Sequence, residues 1–307
     1  MGKSEFALEL ASQINGEIVG ADAFQIYSGL RLLTSQPGRE ALSPGEIVHY
    51  MVACIEAQES YHVERFYQEA SRRIEEILKR GKIPIVVGGT GLYFRALIQK
   101  LDPLPASDPL LRRELEQLSL STLQERLIRI DPTAEERIDM RNPRRVLRAI
   151  EICELSKRPL KDFYSKKQPI GAAHGWFLLR EREELYQRIS HNVTRMWQQG
   201  VVEEVKKIRD KIGQTASRAI GFREILAFLD GQITETQCQE KIVRATCHYA
   251  KRQLTWFRHQ TTFTPLNLSV FDSTRLAVVA VVTWLQNQAQ LHAPPDTSIN
   301  SVSPKKH

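Results

Sequence analysis

The chain has 307 residues, 42% of them hydrophobic and 26% charged, a balance that fits a globular protein with one large domain carrying an insertion, or with two domains. No apolar run approaches the roughly 20 residues of a membrane span, and Glu5 and Glu9 interrupt the first apolar residues, so neither a membrane anchor nor a secretory signal is expected. The four cysteines (Cys54, Cys153, Cys238, Cys247) form no C-x-x-C pair, which argues against a zinc site or disulfide framework and for a reduced cytoplasmic protein, while the net charge of +7 suits a polyanionic partner.

The chain opens "MGKSEFALEL", and Gly2-Lys3-Ser4 is the closing half of the phosphate-loop pattern G-x-x-x-x-G-K-[ST]. Phe6, Ala7, Leu10, Ala11 and Ile14 then recur with helical period. A bare GKS also reads as a polar start to an amphipathic helix. "GEIVGAD", residues 16–22, predicts a short buried strand ending at an acid. "VERFYQEASRRIEEILKRGK" sets Val63, Phe66, Tyr67, Ala70, Ile74, Ile77 and Leu78 on one helical face, closed by Gly81. "IPIVVGGTGLYFRAL" predicts a buried apolar strand over 83–87, a double-glycine turn and a new helix. This alternation predicts an α/β fold with a parallel sheet flanked by helices, whose active site lies at the carboxyl ends of the strands. Gly2-Lys3-Ser4, Asp22 and Gly88-Gly89-Thr90 would all fall on that edge.

From about residue 107 to 165 the sequence turns helical and charge-rich, and predicts a helical insertion between core segments 1–106 and 166–290. "GWFLL", residues 175–179, looks like a return to the sheet, followed by helices near 182–199, 218–229 and 235–258. Residues 291–307 have no apolar periodicity and predict a disordered tail.

Four local patterns can carry chemistry. Asp22 at a strand end can be a general base or hold a metal-bound water, or it can simply cap the next segment. Gly88-Gly89 lets a ligand approach the backbone, and Thr90 offers a hydroxyl and an N–H at a helix start, or is just a capping threonine in a tight turn. Arg244, His248, Lys251, Thr255 and Arg258 form one polar stripe that could track a nucleic-acid backbone, although a solvated face is the commoner explanation. Arg144, Arg145 and Arg148 make a second basic cluster open to the same two readings. Trp256 and Tyr249 are expected in the core or at an interface.

In order along the chain, GKS, "GEIVGADAFQIYSGL", "IPIVVGGTGLYFRALI", "NPRRVLRAIE", "SRAIGFREIL" and "AKRQLTWFR" resemble the tRNA dimethylallyltransferases, over roughly residues 2–260. The resemblance implies a phosphate-loop, nucleotide-kinase-like core with a helical insertion domain. It implies transfer of the dimethylallyl group of dimethylallyl diphosphate to N6 of adenosine 37, next to the anticodon, in tRNAs reading codons that begin with U. Donor and flipped-out base would meet in a channel, as chemistry on a base edge requires. Asp22 matches the aspartate that engages the attacking amine, and Thr90 the threonine near the reacting groups. Gly2, Lys3, Ser4, Thr34 and Arg188 would bind the diphosphate, with a magnesium ion on Ser4. Asp22, Ala23, Phe24, Gln25, Arg144, Arg145, Val146, Leu147, Arg148, Arg218, Gly221 and Arg223 fall in segments that contact the anticodon stem-loop. No membrane partner is implied, and a monomer is expected.

The departures from the family pattern fall at the donor side and on the stripe. The family usually has a strand and a full loop of the type G-P-T-x-S-G-K-[ST], of which only the last residues stand here. A start codon placed too late is expected, with that strand and loop encoded upstream; a real truncation with weaker donor binding and a tRNA-binding protein without catalysis are the alternatives. Where the family has a stretch like "GTAKP", Leu33-Thr34-Ser35-Gln36-Pro37 keeps the threonine and loses a glycine and a lysine. Ala23 replaces a frequent serine, and Cys247-His248 costs the stripe one arginine. A phosphate-loop kinase, or a prenyltransferase of free adenine nucleotides, would share GKS. A kinase would have no reason to carry "AKRQLTWFR", and the basic cluster in the insertion argues against the second.

Overall fold

The computed structural model describes residues 2–38, 47–99, 104–163 and 174–291; the tail expected over 291–307 lies outside these residues except for Leu291. Phe6, Ala7, Leu10 and Ala11 are the buried face of helix α1 (Lys3–Gln13), which turns through Asn15 into strand β1 (Gly16–Ala21). Strand β2 (His49–Tyr50), helix α2 (Val63–Lys79), strand β3 (Ile83–Gly88) and helix α3 (Gly91–Gln99) follow. The order across the sheet is β2–β1–β3, all parallel, with Ile18 opposite Ile85 and Ala21 opposite Gly88.

The two-residue period of a strand explains how both faces are filled. Ile18, Ile85 and Val87 pack against Ala7 and Ala11 of α1. Val19, Ala21 and Val86 point the other way, into a core with Phe66, Ala70 and Ile77 of α2. A strand buried on both faces reads as a continuous apolar run, which is why "GEIVGA" was legible. β3 is less buried than its sequence predicts: Ile83 is 48% exposed and its other residues are only half-buried.

The chain divides into two compact units, 1–97 with 171–307, and 98–170. The second is wider at both ends than the stretch its composition marks. Among its described residues it holds helices α4 (Pro109–Glu116), α5 (Leu120–Ile130) and α6 (Pro143–Ser156), started by the side-chain caps Asp108, Ser119 and Asn142. Its core is built from Leu115, Leu123, Leu127, Val146, Ile150 and Ile152 among others.

The first unit resumes with strand β4 (Trp176–Leu179) and helices α7 (Arg182–Gln198), α8 (Val201–Ile208), α9 (Phe222–Leu229) and α10 (Glu235–Gln260). It closes with strand β5 (Thr264–Asn267) and helix α11 (Thr274–Leu291). The strand at 175–179 does not hydrogen-bond to the three-stranded sheet: β4 pairs in parallel with β5, Leu178 opposite Leu266. Both sheets nonetheless face one apolar cluster, where Ile85, Trp176, Leu178 and Leu266 surround Phe6 and Leu10 of α1 and Ala277 and Val281 of α11. The helix expected at 218–229 is also shorter. Gly221, at φ 95°, breaks it, so that a 3-10 turn ends at Arg218 and α9 starts at Phe222.

All four cysteines are free thiols. Among the described residues no helix is long and apolar enough to cross a membrane.

Glu17 pins the amino end of β1. It is 3% exposed and accepts hydrogen bonds from Arg80 Nη2 at 2.6 Å, Lys82 Nζ at 2.8 Å and Tyr50 Oη at 3.1 Å. Burial alone would raise its carboxyl, but Lys82, Arg80 and Tyr50 outweigh burial and hold it below the usual range. A depressed carboxylate contributes stability above its unfolded value and loses it as pH falls through the folded one. Glu17→Gln is therefore expected to destabilise by about 1–2 kcal/mol at neutral pH, since Arg80 and Lys82 keep access to water. Urea unfolding at several pH values should show that gap closing below the ordinary glutamate value of about 4.3.

Candidate active site

Three backbone segments meet at the carboxyl edge of the three-stranded sheet. Asp22 follows β1 directly. Its Oδ1 accepts the N–H of Phe24 at 3.0 Å and of Gln25 at 3.4 Å, so the capping turn open to a strand-end aspartate is formed. Thr90, in the turn between β3 and α3, clamps both neighbours of Asp22. Its N–H donates to the Ala21 carbonyl at 3.2 Å, and its Oγ1 accepts the Ala23 N–H at 3.0 Å. The carboxylate is thereby held in a fixed place with one oxygen used by the turn.

Lys3 opens α1 beside them. Burial pushes its ammonium below the ordinary lysine range, and the negative charge of Asp22 pulls it part of the way back. The start of α1 is thus within electrostatic reach of Asp22, whose two neighbours Thr90 clamps.

Helix α10 closes the edge from above. Gln253, 9% exposed, donates its Nε2 to the Gly89 carbonyl at 3.0 Å. A Cβ on Gly89 would run into the Gln253 amide, and one on Gly91 into the Trp256 indole. Gly89 and Gly91 of "VGGTGLY" are thus spacing for α10, while Gly88 makes room for the Ala21 backbone of β1. Tyr249, one turn before Gln253, is pushed up to about 12 by burial, with the Asp22 charge adding to it and hydrogen bonding to Gln253 and Thr90 opposing it. Burial, then the charges of Tyr27 and Asp22, raise Tyr93 as well. Both phenols stay protonated donors near the aspartate. Gln253 and Tyr249 were missed as site residues because a polar residue inside a helix carries no sign of which face it takes. The spacing of four between them was the available signal.

The remaining predicted residues fall in several places. Arg188 of α7, 49% exposed, donates its Nε to Glu184 Oε1 at 2.9 Å. It lines a hollow with Glu5 of α1, Arg180 and Ser269. Thr34 donates its Oγ1 to the Leu30 carbonyl at 2.7 Å. Its carbonyl and that of Ser35 each receive Gln25 Nε2 at 3.0 Å, so its contacts lie with Gln25. Gln36 returns its amide to the Gln25 and Tyr27 carbonyls, which staples the loop after β1.

In α6 of the second unit, Arg144 and Arg145 are exposed. Val146 and Leu147 are buried in that unit's core, and the Arg148 guanidinium is taken by Glu151 Oε2 and the Pro105 carbonyl. A helix puts successive residues on different faces, so Val146 and Leu147 pack into the unit while Arg144 and Arg145 face outward. Arg218 is half-buried, Gly221 buried, and Arg223 exposed on the first turn of α9. Arg244, His248, Lys251, Thr255 and Arg258 are all exposed along α10, opposite the face that carries Gln253.

Gln253→Leu keeps the volume and removes the donor to Gly89, leaving a buried carbonyl unpaired. The variant is expected to lose about 1–3 kcal/mol in denaturant unfolding, with faster amide exchange at Thr90. Unchanged exchange there would show that the bond does not hold the turn.

The IPP transferase family model matches residues 25–260. A tRNA dimethylallyltransferase of Anoxybacillus flavithermus is 38% identical over 266 residues, 85% of each chain. One of Acetivibrio thermocellus is 38% identical over 287 residues, 89% of this chain and 90% of that one. Among solved structures, the full-length tRNA isopentenylpyrophosphate transferase of Bacillus halodurans superposes with a TM-score of 0.67 at 31% identity, covering 94% of this chain and 95% of that one. A eukaryotic dimethylallyltransferase solved acting on tRNA shares the fold, with a TM-score of 0.71 at 24% identity over 97% of this chain and 78% of its own. On these matches, the chain belongs to the IPP transferase family.

Proposed function

We propose that this chain is a tRNA-modifying prenyltransferase that moves the dimethylallyl group of dimethylallyl diphosphate to N6 of adenosine 37, in tRNAs reading codons that begin with U, to give N6-isopentenyladenosine. The observation that carries the reading is the clamp of Thr90 on both neighbours of Asp22, with Lys3 beside them, in a chain of this family. Membership argues against a phosphate-loop kinase, and the formed edge argues against a binding protein that needs no Asp22.

In the reaction the bond from C1 of the allyl group to the diphosphate oxygen breaks, the bond from C1 to N6 forms, and N6 loses a proton. Asp22 Oδ1 is committed to its turn, so Oδ2 is the oxygen that meets the amine and takes the proton. Fixing the carboxylate in advance avoids reorganisation at the moment of transfer. The leaving diphosphate gathers negative charge at the start of α1, where the Lys3 ammonium, the free backbone N–H groups of the first turn and Arg188 oppose it. Among the described residues no three His, Cys, Asp or Glu side chains gather as a metal site. The Ser4 hydroxyl in the first turn of α1 would hold a magnesium ion beside the diphosphate. When bound, that ion neutralises charge on the departing group. Water must be kept from the allyl carbon, and Trp256, Tyr249 and Gln253 wall the edge on the α10 side.

The RNA is the anticodon stem-loop, held through its phosphates by the exposed Arg144, Arg145 and Arg223, with Ala23, Phe24, Gln25 and Arg218 nearer the reacting base. We place the protein in the cytoplasm, as a monomer.

Asp22→Asn keeps the size and the turn and removes the basicity. Transfer into an anticodon stem-loop should fall roughly 100-fold or more, with affinity for the same RNA nearly unchanged. A wild-type rate would reduce Asp22 to its cap. Replacing Arg144 and Arg145 together by alanine should weaken RNA binding and flatten its dependence on salt, because fewer counterions are released. An unchanged salt slope would leave the two arginines as a solvated face.

A further inference from the structure

We infer that Arg180 is a further contact for the anionic end of the donor, at the start of α1, an inference that rests on the reading above. Arg180 is the first residue after β4, and its side chain is only 6% exposed. Its Nη1 donates to Glu184 Oε1 at 2.6 Å, while its Nε is buried without a hydrogen-bond partner among the described residues. A buried guanidinium N–H left unpaired is costly, and native structures keep such groups where something else satisfies them.

The Nε and Nη2 side of this guanidinium faces Gly2. A Cβ built on Gly2 would lie 3.3 Å from Arg180 Nη2 and 3.8 Å from its Nε. Gly2 is the residue ahead of α1, and its carbonyl already takes the Phe6 N–H. The N–H groups of the first turn point out of the helix with the positive end of its dipole. An anion seated on that turn would meet Arg180 from one side and Lys3 from the other.

Glu184 orients the arrangement. It accepts from Arg180, from Arg188 and from the Ser269 hydroxyl. Ser269, then Arg188 and Arg180, hold its carboxyl below the usual range. One carboxylate between two guanidiniums neutralises part of their charge and fixes both forks. Glu5 and Asp272 also line the hollow, so with Glu184 its three acids outnumber its two arginines, and net charge does not hold an anion there. What remains for a ligand is directional: the Nε–H and Nη2–H edge of Arg180, a pair that matches two phosphate oxygens. Nothing in "REREE" marks Arg180 among its charged neighbours; only its burial and its unpaired nitrogen do.

The test is calorimetric titration of the full chain with inorganic diphosphate and magnesium, comparing wild type with Arg180→Gln, Arg180→Lys and Lys3→Ala. Arg180→Gln should weaken binding by roughly 10- to 100-fold, the scale of a charge-assisted bond, and leave affinity for the anticodon stem-loop unchanged. Thermal unfolding reports whether it folds. If it does not, Arg180→Lys carries the test, because it keeps the charge, lacks the Nε–H edge, and should still bind several-fold more weakly. Wild-type diphosphate affinity in the folded Arg180 variant, with Lys3→Ala weakened, would overturn the assignment of Arg180 and leave the donor site standing. If Lys3→Ala also binds as wild type, or the wild-type chain takes no diphosphate, the donor-site reading falls with it.

Discussion

Everything at the carboxyl edge hangs on a short turn, Gly89-Thr90, held from two sides. Thr90 grips the backbone of Ala21 and Ala23, while Gln253 reaches down from α10 to the Gly89 carbonyl. The bonds join residues 21–23 to a turn nearly seventy residues later and that turn to a helix 164 residues beyond it. The approach is close enough that a methyl group on Gly88 would run into the Ala21 backbone, and one on Gly89 into the Gln253 amide. A site assembled this way is rigid because its parts are pinned by hydrogen bonds, the one from Gln253 fully buried, where an unpaired partner is expensive.

The same pins set the electrostatics. Asp22 is placed near a lysine that burial has destabilised as a cation and near two phenols that burial keeps neutral. On the proposed reading this is a useful asymmetry. A fixed carboxylate accepts the proton from the amine at one end of the donor, and the positive start of α1 receives the diphosphate at the other. Attack and departure are then served by separate groups, and the allyl carbon lies between them.

Much of this was legible, for reasons that differ by element. β1 and β3 announce themselves because strands flanked by helices need apolar residues on both faces, as "GEIVGA" and "IPIVVG" have. The glycines and threonine of "VGGTGLY" were legible as a tight strand end, but their reason was not: Gly89 and Gly91 make way for Gln253 and Trp256, which lie far along the chain. β5 was invisible because "TPLN" is short, half polar and carries Pro265, tolerable only where no ladder bond is needed from it. α11 hid for the opposite reason, since "AVVAVVTW" is β-branched and reads as well for a strand as for a helix. In α6 a run of residues looks continuous in one dimension, while the helix buries Val146 and Leu147 and leaves Arg144 and Arg145 exposed. Arg180 shows the limit most plainly, as its neighbours "REREE" would place any of their number in solvent.

The central claim is that this edge transfers an allyl group to a base. It is tested most directly by incubating the chain with magnesium, dimethylallyl diphosphate labelled in its allyl carbons, and an anticodon stem-loop bearing adenosine 37. After digestion to nucleosides, the label should be found on N6 of that one adenosine, with one diphosphate released for each group transferred. Label that stays in the donor while the stem-loop binds, or that appears on any other nucleoside, would contradict it.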